Sequence, residues 1–544
     1  RTAAACSGRQ AAPPAADVAP PWFVEVGRER GIDFTHTSGH RARYLLPESV
    51  SGGGGWFDMD GDGDLDVYLV QGGSLEGAGG PPGGNRLYEN QGAAGFRDVT
   101  AGSGAEDPGY GMGLAAGDYD GDGAVDLYVT HYGRDTLLRN EGAGKFRDAT
   151  LEAGLGQPGF SSSAGFFDYD RDGDLDLFVA RYVDWRPDRE IECLNADGAP
   201  DYCSPRVYRA PAPARLYRNE GDGRFRDVSV AAGLSATPGT GLGVLFSDVD
   251  GDGWLDVYVA NDGMPNRLWI NRRDGTFVDR ALVAGCAVDL EGGVPKAGMG
   301  VAAGDIDEDG DIDLMVCNLV DESDSVFRND GGSFTDVTAR VGLAATSRRF
   351  TRFGQGWVDF DNDGRLDLYQ ANGRIRRAAS AGSADPYAEP NLLYRGRPQL
   401  GFEEVLPRGG TRPPLVAASR AAAFGDMDND GGIDVLVVNR DAPAHVLHNV
   451  VPQRGHWILL RVVERSGRDA EGARVRVRAG GRSLLREVRS AGSYLATSDP
   501  RVHVGLGAAE RVDEVEVQWV DGARERFGPF GADRVVTLRR SDAR

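Results

Sequence analysis

The nine residues Asp58-Met-Asp-Gly-Asp-Gly-Asp-Leu-Asp66 constrain the chain most, because their pattern, D-x-D-x-D-G-x-x-D, occurs seven times in 544 residues. Carboxylates stand at positions one, three, five and nine of every copy. They are Asp58, Asp60, Asp62 and Asp66; Asp118, Asp120, Asp122 and Asp126; Asp168, Asp170, Asp172 and Asp176; Asp248, Asp250, Asp252 and Asp256; Asp305, Asp307, Asp309 and Asp313; Asp359, Asp361, Asp363 and Asp367; and Asp426, Asp428, Asp430 and Asp434. Alternate acids in a short loop face one concavity, and Gly at position six permits the turn that closes it. This suits Ca²⁺, a hard cation that takes about six to eight oxygens at about 2.3–2.6 Å, with the carbonyl of position seven as one more donor. Zn²⁺ would ask for His or Cys, and no copy contains either. The expectation is about seven Ca²⁺, one per loop. One such nonapeptide could be an acidic turn; seven intact copies leave little room for chance.

An EF-hand needs Glu at position twelve and flanking helices. Position twelve of the first copy is Leu69, and a β-branched or aromatic run follows each loop, such as Leu65-Asp-Val-Tyr-Leu-Val70. Each loop therefore reads as the turn of a β-hairpin. A second element alternates with the loops: F-x-x-[VA], with Gly eight residues after the Phe. It begins at Phe96, Phe146, Phe225, Phe277 (where Arg280 takes the fourth place), Phe334 and Phe402. Segments such as Asn85-Arg-Leu-Tyr-Glu-Asn90 precede most copies. Tandem four-stranded units of this kind predict an all-β, seven-bladed β-propeller. The seventh loop has no Phe element after it, whereas Phe23-Val-Glu-Val26 matches one in register near the start. A ring must close or leave strand edges unpaired, so this N-terminal strand is expected to complete the last blade. The predicted division is a Pro/Ala-rich tether over 1–21, the propeller over 22–451 and a second domain over 452–544.

The net charge of −23 is explained by the same loops. From Gln453 onward there are 18 arginines against 13 acids, a net +5, so the rest carries −28, the number of loop aspartates. Acidity that belongs to metal loops argues against nucleic acid as a partner. No apolar run reaches the roughly 20 residues of a membrane helix. The five cysteines favour an oxidising compartment, with Cys193 expected to pair with Cys203 and Cys286 with Cys317; buried free thiols are the alternative. Cys6, in Ala3-Ala-Ala-Cys6-Ser-Gly, resembles a weak bacterial lipobox and would suit a lipid anchor; a plain disordered terminus is the other reading.

After Val451 the repeat stops. Stretches such as His456–Arg461 and Ala473–Arg478 alternate apolar and polar residues, which predicts a small antiparallel sandwich with one wet face. The alternating arginines could line an anionic-ligand face, but the solvated side of a strand is the simpler expectation.

The loops in their strand context resemble FG-GAP/VCBS repeats of integrin-α-like propellers. Gly472-Ala-Arg-Val475, Arg486-Glu-Val488, His503-Val-Gly-Leu-Gly507 and Val512–Trp519 resemble the ASPIC/UnbV domain. With Phe34-Thr-His-Thr-Ser-Gly39, the chain is similar to bacterial members of the cartilage-acidic-protein-1 family from about residue 22 to about residue 540. The resemblance implies calcium-binding, secreted proteins with scaffold or interaction roles and no defined reaction. Roles tied to the EGF-like module of animal members do not transfer.

Three functions follow as expectations. The first is an extracytoplasmic binding or adhesion module with a protein or glycan partner; the others are an enzyme acting on carbohydrate or through a further metal, and a structural surface-layer or fibre component. No G-x-S-x-G, H-E-x-x-H or P-loop is present. A ligand face is expected opposite the loops, where polar residues follow each second strand. The contact candidates are His131, Tyr132, Arg181, Tyr182, Asn261 and Asp262.

Overall fold

The computed structural model describes residues 19–75, 84–378 and 383–542. Cys6, most of the Pro/Ala-rich tether and residues 76–83, between the second and third strands of the first repeat, lie outside them. Among the described residues the strand pairings from Phe23 to Asn449 form seven four-stranded antiparallel units. In the first, Gly54–Phe57, Asp66–Leu69, Arg86–Asn90 and Phe96–Asp98 follow one another from the centre outward. Each acidic loop joins the first strand of a unit to the second. In the seventh unit Phe23–Glu25 pairs with His445–Asn449, Phe23 opposite Asn449, so the N-terminal strand completes the last sheet as its register predicted.

The units pack through apolar faces that alternate with period two along the strands. Tyr68, Leu87, Leu114 and Leu127, for instance, interlock between sheets one and two. Paired asparagines add directional links. Asn140, at the end of the third strand of sheet two, donates from Nδ2 to Met59 O of the preceding sheet at 2.7 Å and to Val125 O of its own loop at 3.1 Å. Asn90, Asn219, Asn271, Asn329 and Asn449 repeat this link around the ring. Gly396 stands at the equivalent place in sheet six and cannot make it.

The C-terminal segment folds into two larger sheets around Val475, Val477, Val504, Val515 and Trp519, with a two-stranded ribbon of Arg511–Val512 and Phe530–Gly531 beside them. One departs from the expected all-antiparallel arrangement, because His456–Val463 pairs in parallel with Arg534–Arg539. The larger difference is where this domain sits. Its hairpin Ser490–Asp499 enters the centre of the propeller. Leu495 O accepts from Gly54 N and Leu114 N, both at 3.3 Å; Ser163 Oγ accepts from Leu495 N at 3.0 Å; and Ser493 exchanges bonds of 2.8 and 2.9 Å with Val301. Ser493 Oγ also accepts from Gln355 N and donates to Ala422 O. Inner strands of six sheets are thus bonded to one finger, and Ala496–Thr497 extends sheet one in parallel with Gly54–Gly55. Gly55 is needed for this approach, since a Cβ there would lie 2.2 Å from Thr497 O.

The channel is also closed from the other end. The short helix Leu46–Val50 buries Leu45, Leu46 and Val50 against Tyr110, Phe160 and Phe353. Tyr494, at the tip of the finger, donates to Val50 O at 2.7 Å, so the two plugs meet.

Candidate metal loops and the opposite face

Each acidic loop is built the same way. The position-one carboxylate accepts the N–H of the position-six glycine, as Asp58 does from Gly63 at 3.1 Å and Asp359 from Gly364 at 2.7 Å. Position four is left-handed, a conformation that glycine takes easily but that Arg171, Glu308, Asn362 and Asn429 adopt as well, so the loop geometry overrides residue preference there. The position-nine aspartate has a structural task. Asp66 accepts from Met59 N and Asn90 N, both at 2.8 Å, and the remaining six copies accept the corresponding pair of N–H groups. It binds loop to third strand.

A carboxylate oxygen has two acceptor positions, so one backbone bond to each oxygen leaves room for a cation. Oxygens of Asp58, Asp60 and Asp62 gather within 4.8 Å of one another, as do those of Asp168, Asp170 and Asp176, and of Asp248, Asp250 and Asp256. Burial, reinforced by sister aspartates, pushes Asp66, Asp126, Asp313 and Asp359 up to about 8. Asp248 Oδ1, Asp305 Oδ1 and Asp307 Oδ1 are buried with no hydrogen-bond donor. Buried acceptors without donors in an all-oxygen cluster fit a hard divalent cation, held by positions one, three, five and nine. The seventh loop differs: His448 Nδ1 lies 3.2 Å from Asp434 and 3.8 Å from Asp428. No local sequence signal marks His448, because it lies fourteen residues beyond Asp434 and meets the loop only through strand pairing.

The C-terminal domain covers these loops. Arg501 donates to Gly63 O, Arg468 to Gly173 O, Arg474 to Gly310 O, and Arg482 and Arg486 to Gly364 O, at 2.8–3.4 Å, while His503 Nε2 lies 3.2 Å from Gly431 O. The position-six carbonyls of five loops are therefore read by one domain. Arg474 also lies 3.5 Å from Asp248, and Arg461 3.9 Å from Asp58. This corrects in part the expectation that the alternating arginines line a solvated strand face: Arg474 faces the acidic loops, as Arg482 and Arg486 of the next strand do, whereas Arg478 is exposed and pairs with Glu514 at 2.6 Å.

On the opposite face the expected contact residues are mostly committed inward. His131 is buried, with Nε2 3.1 Å from the buried carboxylate of Asp107. Tyr182 is buried and donates to Asp262 at 2.5 Å. Asn261 is buried and donates to Pro265 O at 2.9 Å. Arg181 is half-buried and donates to Pro158 O, while Tyr132 packs edge-on against Trp185. Apart from His131, the polar residues ending the second strands satisfy nearby backbone carbonyls; they do not form a presented ring. His36, His40 and His131 are engaged separately: Asp441 N donates to His36, His40 pairs with Glu48 at 2.8 Å, and His131 pairs with Asp107.

Two insertions between second and third strands, over 181–214 and 372–390, lean on each other through their described residues over the closed channel. Tyr387 donates to Asp201 at 2.9 Å, and Arg377 N donates to the same carboxylate. A disulfide joins Cys193 to Cys203, with Cα atoms 5.3 Å apart, as expected. Cys286 and Cys317 are not paired; both are buried free thiols. They belong to different packing layers, Cys286 between sheets four and five and Cys317 at the channel, where its thiol donates to Phe353 O.

These features define a β-propeller with an acidic loop in every sheet and a C-terminal β-domain seated in its centre. The chain belongs to the FG-GAP-like repeat family, whose profile matches residues 58–129, 118–179, 194–259, 248–316 and 305–369; ASPIC and UnbV matches 463–544. Cartilage acidic protein 1 of Homo sapiens is 30% identical over 322 residues, 55% of this chain and 43% of that protein. The Xenopus tropicalis protein is 28% identical over 316 residues, 54% of this chain and 44% of that protein. The match thus spans less than half the length of these relatives. Among solved structures, the BP39L lectin of Burkholderia pseudomallei is similar at 11% identity and a TM-score of 0.45, covering 74% of this chain and 96% of that one. A lectin of Agrocybe aegerita that recognises non-reducing terminal N-acetylglucosamine is similar at 16% identity and a TM-score of 0.38, covering 65% and 82%.

Proposed function

We propose that this protein is an extracytoplasmic binding module, stabilised by calcium in its acidic loops, whose recognition surface is the face opposite those loops. The observation that carries this reading is the asymmetry of coverage. The loop face is occupied by the C-terminal domain, whereas the other face carries long insertions, one held by the Cys193–Cys203 bond. Loops on a rigid scaffold are where recognition concentrates. The disulfide supports an oxidising compartment. The division into tether, propeller and C-terminal domain at 21/22 and 451/452 belongs to this proposal, with propeller and C-terminal domain acting as one body through the central finger. A lipid anchor at Cys6 belongs to it as well and is checked by mass spectrometry of the membrane fraction.

Calcium would be held by the four aspartates of each loop and would neutralise carboxylates that repel one another without it. The test is a glycan array and a pull-down from an extracellular extract with the full chain, in calcium and in chelator. A partner captured in calcium and lost in chelator supports the reading. Capture that is unaffected by shielding the opposite face with a Fab, yet abolished by changes in the C-terminal domain's outer surface, overturns it.

A further inference from the structure

Beside the helical plug, on the face opposite the acidic loops, lies a cavity of about 420 Å³ walled mainly by four parts of the chain, with Tyr182, Asp262, Ala297 and Thr351 completing it. Leu46 comes from the plug, Tyr202 to Arg206 from the disulfide-held insertion, Leu319 to Glu322 from the turn after the second strand of sheet five, and Arg374 to Ala378 from the second long insertion. The volume falls within the range of about 300–1,000 Å³ typical of small-molecule sites.

The charged groups around it are unequal in their freedom. Three acids line it: Asp262, on the floor, accepts the Tyr182 hydroxyl, Glu322 accepts Ala297 N at 2.9 Å, and Asp321 is exposed at the wall. The guanidiniums outnumber them. Arg206 donates through one nitrogen to Pro295 O, Arg374 lies 3.0 Å from Glu389, and Arg377 donates to the Tyr44 hydroxyl. Arg376 lines the cavity, is exposed, and has no side-chain hydrogen bond or ion pair within the described residues. Burial pushes Asp262 up to about 6, so the negative charge at the floor fades only in mildly acid solution. Leu46, Leu319 and Ile375 supply apolar wall.

We propose that this cavity binds a small organic oxyanion, a carboxylate or phosphate monoester carried on a compact ring, with Arg376 and Arg374 holding the anionic group and the apolar wall receiving the ring. Guanidinium forks match both anions in geometry, and the cavity is the size of one or two sugar rings. The inference rests on the recognition face proposed above and names its ligand chemistry.

The experiment is isothermal titration of the full, calcium-loaded chain with glucuronate, glucose 6-phosphate and glucose. The two anions separate carboxylate from phosphate as the preferred head, and glucose has the ring without either. Binding of at least one anion at least tenfold tighter than glucose, weakened at least fivefold by Arg376→Ala with the melting temperature unchanged, is the expected result. Arg374→Gln should weaken it further. Equal binding of glucose and both anions, or anion binding that Arg376→Ala leaves intact, overturns the inference. So does the lack of heat with any anion up to about 10 mM, a concentration at which even a millimolar Kd would be seen. A partner captured by the array or pull-down that Arg376→Ala does not affect would leave the recognition face standing and remove only this cavity from it.

Discussion

On the acidic-loop face the propeller is covered by a separate domain that brings arginines; on the other face it is covered by segments spliced into the propeller itself. The first closure is electrostatic and repetitive. Five loops present the same glycine carbonyl, and side chains of one domain meet each of them. The second is irregular and largely apolar and aromatic, with Tyr202 and Tyr387 packed at 5.7 Å and Arg440 over the Tyr387 ring at 4.2 Å. Repetition commits a surface to one partner, because every loop asks for the same thing. Irregular insertions leave that face free to differ from its neighbours, which suits recognition.

The largest expected effect is on the first face. Chelation should cost about 2.7 kcal/mol for every loop that had been held at 100-fold its Kd. With three such loops the melting temperature should fall by about 10 °C, read by calorimetry with and without chelator. A fall under about 2 °C would mean that arginines, and not calcium, hold that face together.

Next in size is the finger. Tyr494→Ala removes a fully buried ring that packs on Phe353 and should cost about 3–5 kcal/mol in urea denaturation. Arg501→Ala should cost about as much, since it strips a buried pair with Asp499. Arg501 also holds Gly63 O and Asp426 O. By reciprocity of linked equilibria, this change should weaken calcium at loops one and seven and spare loops two and four. Uniform weakening across all loops, seen by site-resolved titration, would show that the domain acts only as a lid.

A smaller effect is expected on the second face. Cys203→Ser opens a short loop and should cost about 2–3 kcal/mol on the loop-entropy estimate, with calcium stoichiometry unchanged. Altered calcium binding would couple two faces that the geometry keeps apart.

The smallest effect is a pH slope. Burial pushes His131 down, but the hydrogen bond and charge of Asp107, then the charge of Asp135, push it up further, to a net rise. Burial pushes Asp107 up, and its bonds to His131 and Gly109 N more than reverse this. A raised histidine stabilises fully below its ordinary value near 6.5 and loses that contribution as pH climbs through the raised value. A depressed carboxylate contributes above its ordinary value and loses this as pH falls. In saturating calcium, stability should therefore decline gently as pH rises above about 6.5. His131→Gln should cost about 1 kcal/mol and flatten that decline. An unchanged slope would place its origin elsewhere.

Much of the fold was legible in the sequence because its signals are local and repeated. The Phe23 register exposed the closing strand, and the acid spacing exposed the loops. The ninth aspartate was harder. It looks like one more ligand in the pattern, yet it also accepts backbone N–H groups from the loop start and the third strand. The paired asparagines carried a visible motif whose task, tying neighbouring sheets, needs the three-dimensional neighbour. The expected ligand residues went inward because strand ends need polar partners for their own backbone, a demand that sequence pattern does not separate from recognition.

By itself, the sequence determined the repeated hairpins, the acidic loops between them, the offset that closes the ring and the β character of the C-terminal segment. All of these follow from side-chain alternation and loop chemistry within about fifty residues of chain. Only the tertiary structure decided that Ser490–Asp499 fills the channel, that arginines 118 to 164 residues away sit on loops five and six, and that Cys286 and Cys317 stay apart. The reason is physical. A backbone finger is recruited by unpaired N–H and C=O groups around a channel, and those groups converge only after the ring has formed.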